Sequence, residues 1–219
     1  MLYNASDDDM QKLYETYDLR TIIDLRNGAE KYEHPDPIYR DIAHIDLAVQ
    51  DNENFGVAQN EEAVRKLKEF FAANDKKYEK NPADAGRHME EFYVELLDDY
   101  SLKAYAKFLK IVLEADAGIL WHCSLGKDRC GIATLLVLSI LDVDLKDIFD
   151  DYIYTNECLY GDNQIPYSVQ GYMHYAHRSY LESYIAEAEK RFSGLDGLLE
   201  EMDIGKKEKE SFKNKYLVD

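Results

Sequence analysis

A chain of 219 residues has room for one domain of roughly 200 residues with its own core, and 46% hydrophobic with 32% charged residues excludes disorder throughout. The 26 Lys plus Arg against 44 Asp plus Glu leave a formal charge of -18, which repels nucleic-acid phosphates and anionic membrane surfaces. A small anionic substrate stays open, because a few convergent donors in a pocket overcome a distant field that salt screens beyond about 8 Å.

The start, Met1 to Met10, is acidic and polar, with no basic segment leading into an apolar one, and no stretch approaches ~18 apolar residues. The three cysteines, Cys123, Cys130 and Cys158, lack the paired spacings of a disulfide framework. A cytoplasmic chain in a reducing compartment is expected, without membrane insertion and without a nucleic-acid partner.

Runs at 21–25 (Thr-Ile-Ile-Asp-Leu) and 42–48 (Ile-Ala-His-Ile-Asp-Leu-Ala) are strand-length and bounded by Gly28, Pro35, Pro37 and a polar run after 48. The charged segment Asp51 to Arg87 reads as a helical lid or as a surface helix pair. Val64, Leu67, Lys68 and Phe71 mark a helix. Met89, Phe92, Tyr93, Leu96 and Leu97 mark another, and Ala104 to Leu113 continues the layer. Gly118 to His122 reads as a third strand, and after a short loop Ile132 to Leu141 reads as a buried helix. Apolar residues from Val169 to Phe192 keep the helical repeat and predict one long helix of about six turns. Together these predict a single α/β domain over 1–219, with a mainly parallel central sheet flanked by helices and a helix-rich C-terminal half.

The chemistry sits in His122-Cys123-Ser124-Leu125-Gly126-Lys127-Asp128-Arg129-Cys130-Gly131, between strand and helix, where unpaired N–H groups and the helix dipole favour an anion. Trp121 and Asp128 stand where a nucleotide-binding P-loop needs Gly and Ser or Thr. Cys123 and Arg129 are separated by five residues. Loop amides, helix end and guanidinium all stabilise a thiolate, and the same donors bind a phosphoryl group.

With the preceding strand, His122, Gly126, Gly131 and the following helix, this segment resembles the signature loop of the cysteine-dependent phosphatases. His-Cys-x-x-Gly-Lys-Asp-Arg-x-Gly is similar, more narrowly, to the bacterial and fungal tyrosine phosphatases with reported activity on phosphotyrosine and phosphoinositides. Arg20-Thr-Ile-Ile-Asp-Leu-Arg26, Asp151-Tyr-Ile-Tyr-Thr-Asn156 and the pattern Phe192, Ile204-Gly205, Tyr216-Leu217 extend the resemblance over almost the whole chain.

The resemblance implies a phosphatase-like fold and a cofactor-free phosphomonoesterase with a cysteinyl-phosphate intermediate. Its substrate is a phosphorylated protein, a phosphoinositide or a small phosphate ester. Cys123 is then the nucleophile, Arg129 the phosphate and transition-state ligand, and Asp128 the general acid, with Asp24, Asp46 and Asp162 as fallback acids. The loop Ser124, Leu125, Gly126, Lys127, Asp128 and Arg129 would bind phosphate. Lys127 is expected on the rim, either selecting polyanionic substrates or paired with an acid. His122 is expected to orient the loop.

Two departures stand out. Cys130 replaces the usual Thr or Ser, offers a weaker donor to the thiolate and could close a reversible disulfide with Cys123. Related chains usually open on Asn-Phe-Arg-Asp-x-Gly-Gly, whereas this one begins near the following Leu-Tyr with Asn4 in place of an Arg, so that either the start codon is misassigned or a natural shortening alters the sheet edge or the site. His174 and His177 read as helix residues rather than metal ligands, the 18 tyrosines as packing residues and Cys158 as structural. Open alternatives are a catalytically impaired phosphate-binding module, an arsenate reductase or sulfurtransferase using the same thiolate loop, and an acidic scaffold.

Overall fold

A computed structural model describes residues 2–51, 55–161 and 163–217. Three strands, β1 (Leu19–Asp24), β2 (Ala43–Asp46) and β3 (Gly118–His122), form a parallel sheet in the order β2-β1-β3. Asp24 of β1 is in register with Asp46 on one side and His122 on the other, so the carboxyl ends of all three strands finish at one level. In open α/β sheets ligands bind at that edge.

Ile22 and Ile23 are both fully buried and face opposite ways, as the two-residue period of a strand requires. Ile22 packs with Met10 of α1 (Asp7–Thr16), Leu19 and Ile42, while Ile23 joins the main core. The first helix is short and polar, so periodicity did not show it. It is held by the Ser6 capping box with Asp9. Asn4 is exposed just ahead of it.

The expected helices appear as α3 (Glu61–Tyr78), α4 (Ala83–Glu95), α5 (Asp99–Glu114) and α6 (Asp128–Ile140). In α6, Ile132, Ala133, Leu135, Leu136 and Ile140 are fully buried, so the helix is apolar on all sides and runs through the core. Each such Leu or Ile contributes about 2 kcal/mol by leaving water. Tyr93, Tyr105, Tyr180 and Tyr184 are also fully buried in this core.

The segment from 51 to 87 forms α3 and the start of α4. Its lead-in rests on α2 (Gly28–Glu33): Gly28 N–H donates to Gly56 O at 2.9 Å, and a Cβ at Gly28 would fall 2.3 Å from Ala58 O. Glycine is required there by close backbone approach.

The single long helix expected from 169 to 192 is corrected to two, α8 (Val169–His174) and α9 (Arg178–Phe192). Tyr175 turns extended, with ψ 151°. The break is held from α7 (Leu145–Tyr160), where Asn156 bonds the backbone of Ala176 twice, donating to its O at 2.8 Å and accepting from its N–H at 2.7 Å. The ammonium of Lys127 takes the carbonyls of Met173 and Tyr175 at 2.7 and 3.3 Å. Apolar spacing continues across the break because both helices bury the same side, so the pattern carried no mark of it.

After α10 (Leu195–Glu201), Ile204 is buried, as is Phe212 of α11 (Lys206–Tyr216), completing the same core. Among the described residues no helix is long and apolar enough to cross a membrane.

Candidate active site

Between β3 and α6 the chain makes a short loop whose crest, Leu125 and Gly126, is exposed. Gly126 has φ +75°, a left-handed conformation that a side chain disfavours. Lys127 then closes the loop at the N-terminus of α6.

Cys123 is 2% exposed and lies in the core cluster beside Cys130. The Cys130 thiol donates to the Cys123 sulfur. That bond, with the Arg129 charge, outweighs burial and the nearby Asp128 carboxylate, and holds the Cys123 thiol down at about 6. Cys130 moves the other way, well above an ordinary thiol, because it gives its proton to that bond and is buried. Both are free thiols. Cys158, expected to be structural, is instead exposed on α7, also as a free thiol.

Arg129 meets a partner absent from the expected set. Its Nη1 and Nη2 donate to the two carboxylate oxygens of Glu30 at 2.6 and 2.7 Å. Ser124 Oγ donates to the same carboxylate, and the Asn27 N–H reaches it at 2.9 Å. Burial works against both charges. The Arg129 charge and these donors nevertheless hold the Glu30 carboxyl at about 2, while Glu30 keeps Arg129 firmly protonated. A guanidinium has five N–H donors, so Nε and further Nη hydrogens remain for a ligand. The backbone of Arg129 is held as well, by Tyr105 Oη from α5 at 3.2 Å. Glu30 was open to detection: Asn27-Gly-Ala-Glu30 is a capping-box pattern, and it starts α2 as such.

Asp128 is held on the opposite side. Its Oδ1 accepts from Tyr93 Oη of α4 at 2.9 Å, and Tyr93 Oη lies 2.6 Å from Tyr152 Oη of α7. The side chain remains 19% exposed.

The rim position expected for the Lys127 ammonium is corrected. The side chain is wholly buried and points inward to Met173 O, Tyr175 O and, at 3.2 Å, Asp128 Oδ1. The freed carbonyls of the helix break draw it in, and with Asp128 they supply the partners a buried ammonium needs.

His122 is buried, with Nδ1 3.2 Å from Cys123 O and Nε2 2.8 Å from Asp36 Oδ2. Burial raises Asp36, but His122 beside it and, more weakly, the Arg26 charge bring its carboxyl below the usual value. Among the fallback acids, Asp24 is buried in a two-pronged pair with Arg26. Asp46 stands exposed at the end of β2, 3.3 Å from Lys31, and Asp162 lies outside the described residues. Ligand atoms of Asp24, Asp36 and His122 fall within 4.8 Å of one another, a spacing a metal could use. Arg26 already sits against both carboxylates, at 2.7 and 3.0 Å, and supplies their countercharge.

The chain was compared with known proteins. A family model described as "Tyrosine phosphatase family" matches residues 1–218. A protein of Cupriavidus necator, described as "Putative tyrosine-protein phosphatase", is 34% identical over 77 residues, which cover 34% of this chain and 28% of that protein. The chain therefore belongs to the tyrosine phosphatase family.

Proposed function

We propose that this chain is a phosphomonoesterase that works through a cysteinyl phosphate on Cys123, with protein phosphotyrosine as the leading substrate class. The observation that carries this reading is the placement of Cys123, buried beside Cys130 at the start of α6, where the Cys130 S–H and the Arg129 charge lower its thiol. A thiolate at a helix N-terminus, next to a guanidinium with free donors, is equipped to attack phosphorus while its surroundings hold phosphoryl oxygens.

In the first step the Cys123 sulfur attacks phosphorus, the P–O bond to the substrate breaks, and Asp128 gives its proton to the departing oxygen. Arg129 ligates two phosphoryl oxygens through Nε and a free Nη hydrogen, together with N–H groups of the loop from Ser124 to Arg129. In the second step water gives a proton to the Asp128 carboxylate and attacks phosphorus. The S–P bond breaks, and the departing thiolate is received by the Cys130 S–H. Since an S–H is a weak donor, this second step is slower than with a hydroxyl in its place.

Selectivity for polyphosphorylated head groups would need cations at the mouth of the site. The inward ammonium of Lys127 and the Glu30-bound edge of Arg129 favour a phosphomonoester over such a polyanion. A second reading, phosphate binding without turnover, draws on the same Glu30 pair, which already neutralises the loop's guanidinium.

Hydrolysis of aryl phosphates, phosphotyrosine peptides and phosphoinositides by wild type and Cys123→Ser, with chelator present, tests the proposal. We expect wild-type activity on aryl phosphates and peptides, and a loss of at least about a thousandfold in Cys123→Ser. Phosphate binding by a folded wild type that turns over none of these substrates selects the second reading. Turnover of arsenate or thiosulfate alone would overturn both.

A further inference from the structure

We infer that Tyr93 is the positioning residue of the general acid: its hydroxyl occupies Oδ1 of Asp128, so the proton delivered to the leaving group is carried on Oδ2. The inference rests on the acid role given to Asp128 above.

Tyr93 is fully buried on α4, 35 residues from Asp128 in sequence, with its hydroxyl 2.9 Å from Oδ1. A tyrosine hydroxyl has one proton. If Tyr93 gives it to Asp128, the 2.6 Å contact between Tyr93 and Tyr152 runs the other way, with Tyr152 donating to Tyr93. The order is thus Tyr152 to Tyr93 to Asp128, and each bond polarises the next.

The approach of Tyr152 depends on Gly131, where a Cβ would meet the Tyr152 ring at 3.0 Å. Gly131 lies three residues after Asp128, so the helix that begins with the acid also admits the far end of its hydroxyl chain. Burial and the Asp128 charge keep both tyrosines protonated far into the alkaline range, so they remain donors whichever state the acid is in. The Lys127 ammonium, 3.2 Å from Oδ1, loads the same oxygen. Two donors on Oδ1 leave Oδ2 to take up and release the proton, and they prevent the carboxyl from turning over between steps.

The other groups facing Asp128 are Cys123 and Arg129 of its own loop, Tyr160 of α7, His174 of α8 and Tyr180 of α9. A donor on Oδ1 holds the carboxyl in one orientation, so removing it weakens proton delivery most where the leaving group depends on it most.

The test is kcat and kcat/KM for Tyr93→Phe, Tyr152→Phe, Asp128→Asn and the double variant Tyr93→Phe/Asp128→Asn. Aryl phosphates with good and poor leaving groups serve as substrates. We expect Tyr93→Phe to lower the rate about tenfold for the poor leaving group and less for the good one. Tyr152→Phe should show the same dependence on the leaving group with a smaller loss, and provides the test should Tyr93→Phe not fold. In the Asp128→Asn background Tyr93→Phe should add nothing.

Equal losses on good and poor leaving groups in both tyrosine variants, or losses that multiply in the double variant, would overturn the inference while leaving the function intact. Full activity in Asp128→Asn would instead overturn the acid role itself.

Discussion

Arg129 leans on a carboxylate from α2, on the β1 side of the loop, whereas Asp128, one residue earlier, leans on a tyrosine hydroxyl from α4. The guanidinium must stay charged throughout the proposed cycle, and a buried carboxylate ensures that it does. The acid must gain and lose a proton, and a neutral hydroxyl accommodates both states. Lys127 touches the acid as well, but shares its donors with two backbone carbonyls. One loop thus carries a side that holds charge constant and a side that lets it change.

The strongest way to break this comparison is Glu30→Gln. Removing one partner of a mostly buried ion pair should cost about 3 kcal/mol, read from the denaturation midpoint. It should also lower kcat/KM about tenfold as Arg129 loses its hold. The pair has a pH signature. Glu30 titrates at about 2 when folded against an ordinary value of 4.5, so its contribution is complete above about pH 4.5 and is lost as pH falls toward 2. Wild type should therefore lose more stability than Glu30→Gln across that window. Equal losses would mean that the carboxylate does not hold the guanidinium.

Cys130→Ala acts between the two sides. Without the thiol donor the Cys123 midpoint should rise from about 6 toward the ordinary 9.0, by about one unit, as read from the pH dependence of alkylation. An unmoved midpoint would assign the low value to Arg129 and the helix end alone.

The smallest effect on substrate preference is expected from Lys127→Met. It leaves two carbonyls without a donor and should cost about 1–2 kcal/mol of stability, while the ratio of rates on mono- and polyphosphorylated substrates stays as in wild type. A fall in the polyphosphorylated rate alone would return the ammonium to the mouth of the site.

Much of the fold was legible because it rests on local pattern. The three strands and the apolar α6 follow from short apolar runs and a Leu-rich stretch that begins after Gly131. The helix break at Tyr175 was not legible, since the bonds that cause it, from Asn156 to Ala176 and from Lys127 to Tyr175, span 20 and 48 residues. Glu30 was half legible: its capping box is written locally, but its bond to Arg129 spans 99 residues.

The sequence by itself determined the family resemblance, the strand-loop-helix unit and the pairing of Cys123 with Arg129, because these depend on residue type and short spacing. Tertiary structure decided which groups Arg129, Asp128 and Lys127 touch, and so which loop charges are neutralised, buried or free to exchange a proton. Hydrogen bonds and ion pairs reach about 3 Å, so the fold must first bring distant residues within that distance before their chemistry is defined.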